Sequence, residues 1–122
     1  MATLAITLGE PAGIGPDIVA SALQCTSPHR RVVVGCAATL KARAKQLGLA
    51  LDLIPYNEIG DSKNSLEVID CPTAEPVKAG ILNTANAHSV LQSLERAAQG
   101  ALLGEFDAIV TAPVQKSVIT DA

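Results

Sequence analysis

Apolar residues in this chain fall into short unbroken runs that alternate with stripes at helical spacing, and that alternation sets the elements. Residues 4–6 (Leu-Ala-Ile) make a first run, and Ile18, Val19, Ala22 and Leu23 follow at helical spacing. A strand and then a helix over about residues 16–24 are predicted, the helix stopping before Ser27-Pro28 because proline disfavours helical backbone in the residue before it. Residues 31–36 (Arg-Val-Val-Val-Gly-Cys) are a β-branched run suited to the middle of a parallel sheet. Residues 39–47 read as a helix with Leu40, Ala44 and Leu47 on one face, Lys41, Arg43 and Lys45 away from it, and Gly48 as its stop. Residues 51–54 predict a strand ended by Pro55, residues 56–64 a polar surface loop, and residues 66–70 a strand near a sheet edge. Residues 71–80, with Pro72 and Pro76, read as an irregular connection. A long helix runs from about Asn83 or Thr84 to Leu103, its stripe formed by Ala87, Val90, Leu91, Leu94, Ala97, Ala98, Ala101 and Leu102, and Gly104 closes it. Residues 107–111 form the last strand, and residues 114–120 start a further helix. The order βα-βα-β-β-α-β(α) predicts a three-layer α/β/α arrangement around a mainly parallel sheet.

Composition narrows this picture. A chain of 122 residues holds one core-forming domain, and with one Phe, one Tyr and no Trp that core is built from Ala, Val, Ile and Leu. Nine Lys and Arg against twelve Asp and Glu give a net charge of −3, and the only basic corner is His29-Arg30-Arg31. That balance points away from nucleic acid and anionic membranes and toward a small-molecule partner. Cys25, Cys36 and Cys71 lack CxxC spacing, which argues for reduced thiols over a disulfide framework or zinc ribbon. Neither a basic leader nor an apolar run of membrane-spanning length is present, so a cytoplasmic location is expected.

Candidate chemistry concentrates where parallel sheets bind ligands, beyond the carboxyl ends of the strands. Residues 8–16, Leu-Gly-Glu-Pro-Ala-Gly-Ile-Gly-Pro, turn from the first strand into the first helix. Gly9, Gly13 and Gly15 permit positive φ or close approach, while Pro11 and Pro16 stiffen the turn and Pro16 suits the first helical position. Such a loop ends at a helix N-terminus that favours an anion. Its spacing, Gly-x-x-x-Gly-x-Gly, matches neither the dinucleotide fingerprint nor the P-loop, so a tight packing turn without a ligand is an equal reading. Glu10 opposes a phosphate unless it points away, pairs with a cation, or holds a metal or hydroxyl group. Residues 111–116 (Thr-Ala-Pro-Val-Gln-Lys) leave the last strand toward the same edge, with Thr111 offering a hydroxyl and Lys116 a point charge; a helix cap and a solvated lysine are the plainer readings of these two. His29 and His88 stand far apart and make no metal site, and no nucleophile has a base at recognisable spacing. The residues alone supply half of a binding crevice and no catalytic group.

Residues 6–17 (Ile-Thr-Leu-Gly-Glu-Pro-Ala-Gly-Ile-Gly-Pro-Asp) closely resemble the N-terminal signature of the 4-hydroxythreonine-4-phosphate dehydrogenase family of vitamin B6 biosynthesis. Residues 104–116 (Gly-Glu-Phe-Asp-Ala-Ile-Val-Thr-Ala-Pro-Val-Gln-Lys) resemble a second segment of that family, and the resemblance runs over nearly the whole chain. It implies an isocitrate and isopropylmalate dehydrogenase-like fold of two α/β/α domains, with the active site in the cleft between them and a homodimer whose subunits share sites. It also implies oxidation of 4-phosphohydroxy-L-threonine by NAD with a divalent metal (zinc, magnesium or cobalt), followed by loss of carbon dioxide. In the family, a His-Thr pair that binds substrate and three metal-binding histidines lie past the position of Ala122. The chain is therefore expected to be the N-terminal α/β portion, residues 1–122, of a larger two-domain enzyme. Alone it is expected to be inactive and to self-associate through the apolar surface that meets the remainder. Of the family's site, only Gly9, Glu10, Pro11, Gly13, Gly15, Thr111 and Lys116 are candidates to line the cleft, with no catalytic or metal ligand among them. A dehydrogenase of a 4-phosphorylated sugar acid, such as a 4-phospho-threonate or erythronate, and a non-enzymatic α/β anion-binding or interaction module remain as alternatives.

Overall fold

The computed structural model describes residues 2–9, 13–25, 27–56, 66–73 and 86–111. Strands β1 (Thr3–Thr7), β2 (Arg30–Gly35), β3 (Ile54–Pro55), β4 (Leu66–Asp70) and β5 (Ala108–Thr111) form one sheet in the order β3-β4-β2-β1-β5, every neighbouring pair parallel. β2 is central and buried along its whole length, as its unbroken Val32-Val33-Val34 run requires of a strand covered on both faces. Helices α1 (Gly15–Ala22), α2 (Ala37–Gln46) and α3 (Ala87–Leu102) complete the described elements.

Right-handed crossovers decide which face each helix covers. The chain moves from β1 to β2 to β3 in one direction across the sheet and from β4 to β5 in the other, so α1 and α2 share one face and α3 takes the opposite one. The packing agrees. Leu8, Val19, Ala20, Leu23, Val33, Leu40 and Ala44 form the core under α1 and α2, while Ala5, Val32, Val34, Cys71, Ala97 and Phe106 form the core under α3. Each fully buried Val or Leu contributes about 1.5–3 kcal/mol. The expected three-layer α/β/α arrangement is therefore present, and all five strands end on one edge.

Several elements differ from the pattern-based expectation for identifiable reasons. Pro55 is the last residue of β3 and still pairs with Val68; β3 is an edge strand, where a missing N–H costs no ladder bond, and the Tyr56 N–H completes that pairing to the Val68 carbonyl at 3.0 Å. Leu51 and Leu53 are not in a strand, but they pack against the core under α1 and α2. α1 ends at Ala22. α2 turns Arg43 inward, whereas Leu47 faces solvent. α3 buries Ser89 and Ser93 alongside Val90 and Ala97, and leaves Leu91 and Leu102 exposed. Gly48 and Gly104 close α2 and α3 in left-handed conformations (φ 71° and 78°), as expected. Asn83 and Thr84, residues 57–64 of the loop expected over 56–64, residues 74–80 of the connection expected over 71–80, and the helix expected over 114–120 lie outside the described residues.

A polar bridge ties β2 to β4 beneath α3. Arg30 donates through Nε and Nη2 to the two carboxylate oxygens of Glu67, both at 2.5 Å, with each side chain 4% exposed. The Arg30 guanidinium also lies 4.9 Å from the centre of the Tyr56 ring. Removing one partner of such a pair strands a buried charge and costs about 3–5 kcal/mol.

Candidate functional site

The site begins at the end of β1. Gly9 adopts φ 71°, a left-handed conformation that strains any residue with a Cβ, so the chain leaves the strand by a turn that needs glycine. Just before it, Leu8 packs over Gly35 of β2, where a Cβ would stand 2.9 Å from Leu8 Cδ1. The loop re-enters the described structure at Gly13, and α1 starts at Gly15 with Pro16 in its first turn. Among the described residues no side-chain cap bond closes this N-terminus: Ile14 occupies the cap position and is exposed. The first-turn N–H groups have no carbonyl partner within the helix and suit an anionic group at the loop mouth.

Arg43 fixes the geometry of this entry. Its guanidinium comes from α2, is 5% exposed, and donates through Nη1 to the Gly13 carbonyl at 2.8 Å and to Asp17 Oδ1 at 3.3 Å. One cation thereby holds both the last turn of the loop and the first turn of α1. The expectation from sequence sent Arg43 to solvent because it is charged. Its position, three residues after Leu40 and four before Leu47, had placed it in the same stripe, and that is the signal that could have found it.

Register brings the second candidate segment alongside. Thr7 and Thr111 are direct partners in the β1–β5 ladder, so Gly9 and the chain leaving Thr111 start from adjacent strand ends. Thr111 is exposed and is the last described residue of β5; the helix it would cap lies outside the described residues. The structure thus brings Gly9, Gly13, Gly15 and Thr111 to one edge; Glu10, Pro11 and Lys116 lie outside the described residues. A residue missed in the sequence sits between them: Thr7, 1% exposed, buries a hydroxyl with no hydrogen-bond partner among the described residues.

A hollow among the described residues lies elsewhere, at the carboxyl ends of β3 and β4. It holds about 510 Å³ between Lys41, Leu53, Tyr56, Ile69, Asp70 and Arg96. Its charges are largely committed to the fold, for Asp70 accepts from the Ala37 N–H at 3.0 Å and Arg96 forms a two-pronged bond to Glu105 at 2.6 and 2.9 Å. The hydroxyl of Tyr56 donates to the same carboxylate at 2.8 Å. Arg96 holds the Glu105 carboxyl below its ordinary range against the opposing effect of burial, and burial with the Glu105 bond pushes the Tyr56 phenol up to about 12. This cluster is a brace, and the glycine loop remains the better candidate for ligand chemistry.

A metal does not fit the described residues. Among them no three His, Cys, Asp or Glu side chains come together to hold one. His29 Nδ1 accepts the Ala2 N–H at 3.1 Å, and His88 is exposed. No helix among the described residues is long and apolar enough to cross a membrane.

The sequence model of the family described as pyridoxal phosphate biosynthetic protein PdxA matches residues 27–122. A protein of Vibrio cholerae named 4-hydroxythreonine-4-phosphate dehydrogenase is 50% identical over 121 residues, spanning 96% of this chain and 37% of that protein. The protein of the same name from Thioalkalivibrio sulfidiphilus is 46% identical over 123 residues, spanning 98% and 37%. The crystal structure of the Klebsiella pneumoniae 4-hydroxythreonine-4-phosphate dehydrogenase superposes with a TM-score of 0.83 at 31% identity, over 98% of this chain and 38% of that one. The chain therefore spans little more than a third of the length of the relatives it matches.

Proposed function

Because the chain belongs to the pyridoxal phosphate biosynthetic protein PdxA family, we propose that it is the N-terminal α/β portion of a two-domain, homodimeric, cytoplasmic dehydrogenase acting on 4-phosphohydroxy-L-threonine. The observation that carries this reading is the family match over residues 27–122. In the reaction, a substrate CH–OH becomes C=O and the resulting 2-amino-3-oxo acid releases carbon dioxide. NAD, when bound, supplies the acceptor for the hydride. The alcohol proton passes to a base that we do not place among the described residues. These side chains likewise offer no ligand set for the divalent metal that the family implies.

The part of this chain in the proposal is binding and orientation. The first turn of α1 offers N–H groups and the positive end of a helix dipole to an anionic group of substrate or cofactor. Gly9 and Gly13 keep side chains out of the approach, and Arg43 holds the turn so that those N–H groups are set before the ligand arrives. Orientation of this kind lowers the reaction barrier by pre-ordering the reactants.

The test is NADH formation. The full-length protein that carries this sequence, given NAD, a divalent metal and 4-phosphohydroxy-L-threonine, is expected to produce NADH, and the 122-residue chain alone is expected to produce none. Arg43→Met in the full-length protein is expected to lower kcat/KM about 10-fold or more by loosening the loop, the size of effect that misplaced binding groups produce. Turnover confined to 4-phospho-threonate or erythronate would replace the substrate assignment. Absence of any NAD reduction by the full-length protein, or NADH made by the short chain, would overturn the reading.

A further inference from the structure

Cys36 and Cys71 are left over by the proposed reaction, and the sheet sets them side by side. Gly35 and Asp70 are the last register partners of β2 and β4, and the Cys71 N–H closes that pairing by donating to the Gly35 carbonyl at 2.8 Å, so Cys36 and Cys71 are the next residues of the two chains. Cys36 and Cys71 are therefore opposite each other on adjacent parallel chains. Strands in a sheet lie about 4.8 Å apart, and disulfide-linked Cα atoms lie about 4.4–6.8 Å apart. Side chains alternate in direction along a strand, so both cysteines follow Val34 and Ile69 toward the α3 face. Cys71 belongs to the core there, and Cys36 lines a narrow crevice with Ser89, Val90 and Ser93 of α3. Both thiols are free, with residue exposures of 7% for Cys36 and 2% for Cys71.

We propose that Cys36 and Cys71 are a peroxide-oxidisable dithiol, in which Cys36 attacks a hydroperoxide and Cys71 closes a disulfide across the carboxyl ends of β2 and β4. Cys36 is the nucleophile. It occupies the cap position of α2, where the thiolate form of a cysteine is favoured. Burial there raises the thiol, but hydrogen bonds from the Thr39 hydroxyl, the Thr39 N–H and the Thr73 N–H outweigh it and bring the thiol below its ordinary value. Cys71 is held the other way, raised chiefly by burial, and so keeps its proton until it attacks.

The Cys36 thiolate takes the distal oxygen of the hydroperoxide, the O–O bond breaks, and water (or an alcohol) leaves with a proton, giving a sulfenic acid. The Cys71 sulfur then displaces hydroxide from that sulfenic acid, which departs as a second water with the Cys71 proton. In total two thiols lose two hydrogens and the peroxide is reduced. Cys71 borders an open groove of about 270 Å³ lined by Gln92, Glu95 and Gln99, while Cys36 borders a crevice beside Leu8 and Gly9 that holds about 10 Å³, so the smallest hydroperoxide, hydrogen peroxide, is the oxidant the site suits. Because Leu8 and Gly9 line that crevice, the bond alters packing next to the proposed binding wall. The inference itself does not depend on that wall's substrate.

Hydrogen peroxide is the probe, applied to the folded full-length protein before thiol blocking with N-ethylmaleimide in denaturant and tryptic digestion. Residues 32–41 and 64–78 are expected to be recovered as one linked species, about 2 Da lighter than the sum of the two peptides and separated by dithiothreitol. In Cys71→Ser, dimedone is expected to label Cys36; in Cys36→Ser, it is expected to leave Cys71 unlabelled. Recovery of both residues as maleimide adducts after peroxide, oxidation of Cys36 to sulfinic acid with Cys71 still blocked, or a linkage through the exposed Cys25 would each overturn the proposal.

Discussion

Tyr56 is the only tyrosine in the chain, so its titration can be read without assignment. Its phenol is pushed up to about 12, first by burial and then by the bond it donates to Glu105. An unfolded tyrosine titrates near about 10, so the folded state favours the neutral phenol. The resulting stability is complete below pH about 10 and is lost as the pH rises from about 10 toward 12. Glu105 works in the opposite sense: the Arg96 bond lowers it despite burial, so its contribution is present above the ordinary glutamate range and fades as the solution is acidified below that range. Tyrosinate absorbance of the native protein is expected to rise with a midpoint near 12, falling toward about 10 in denaturant and part of the way in Glu105→Gln. A native midpoint at the unfolded value would show that the brace between Tyr56, Glu105 and Arg96 does not hold in solution.

The end of α3 shows how one glycine governs the placement of an element. After Gly104 reverses the chain, the N–H groups of Glu105 and Phe106 both return to the Gly100 carbonyl, at 2.8 and 3.2 Å. The Phe106 ring then lies against the helix at Gly100, with the Arg96 guanidinium 5.4 Å from its centre. Replacing a helical glycine by alanine ordinarily adds about 1 kcal/mol of stability. At Gly100 the added methyl would overlap the ring, so Gly100→Ala is expected to lose about 1–3 kcal/mol in denaturant unfolding. Adding Phe106→Leu to the Gly100→Ala variant is expected to recover part of that loss. The limits of reading such elements from sequence are visible in the same helix. Its existence follows from the spacing of Ala87, Val90, Leu94 and Ala97, but its rotation does not. Ser89 and Ser93 tolerate burial because their hydroxyls bond to the carbonyls of Cys71 (2.6 Å) and Ser89 (2.8 Å), and this turns Leu91 and Leu102 outward. β2 was legible because three consecutive valines have no other place in a parallel sheet. β3 was overread because Leu51 and Leu53 are half-buried by packing and not by strand pairing. At the site, Gly9 and Thr111 could be named from turn chemistry and strand ends. Their adjacency depends on the β1–β5 register, and the grip of Arg43 on Gly13 depends on how α2 lies beside α1; both are long-range facts that local pattern does not carry.

At the scale of the molecule the two edges of the sheet are unlike. The β3 edge is short and carries Pro55, features that discourage further pairing. The β5 edge has all four residues exposed, including Ile109 and Val110, and beyond the preceding turn Leu102 and Leu103 are 87% and 83% exposed. Among the described residues nothing pairs with the outer side of β5, and a strand of this kind offers backbone groups and apolar side chains together, the combination that recruits another chain. The structural relative from Klebsiella pneumoniae continues well beyond the matched region, which is 38% of its length. Taken alone, the 122-residue chain is expected to self-associate through β5, with a light-scattering mass that rises with concentration. Val110→Lys together with Leu103→Lys is expected to suppress that rise while leaving the helical circular dichroism unchanged, because neither residue is buried in either core. A concentration-independent monomer for the unmodified chain would mean that the β5 edge is covered by the chain itself. Association that persists in the doubly substituted chain would locate the sticky surface elsewhere, with the exposed Leu91 on the outer side of α3 as the next position to charge.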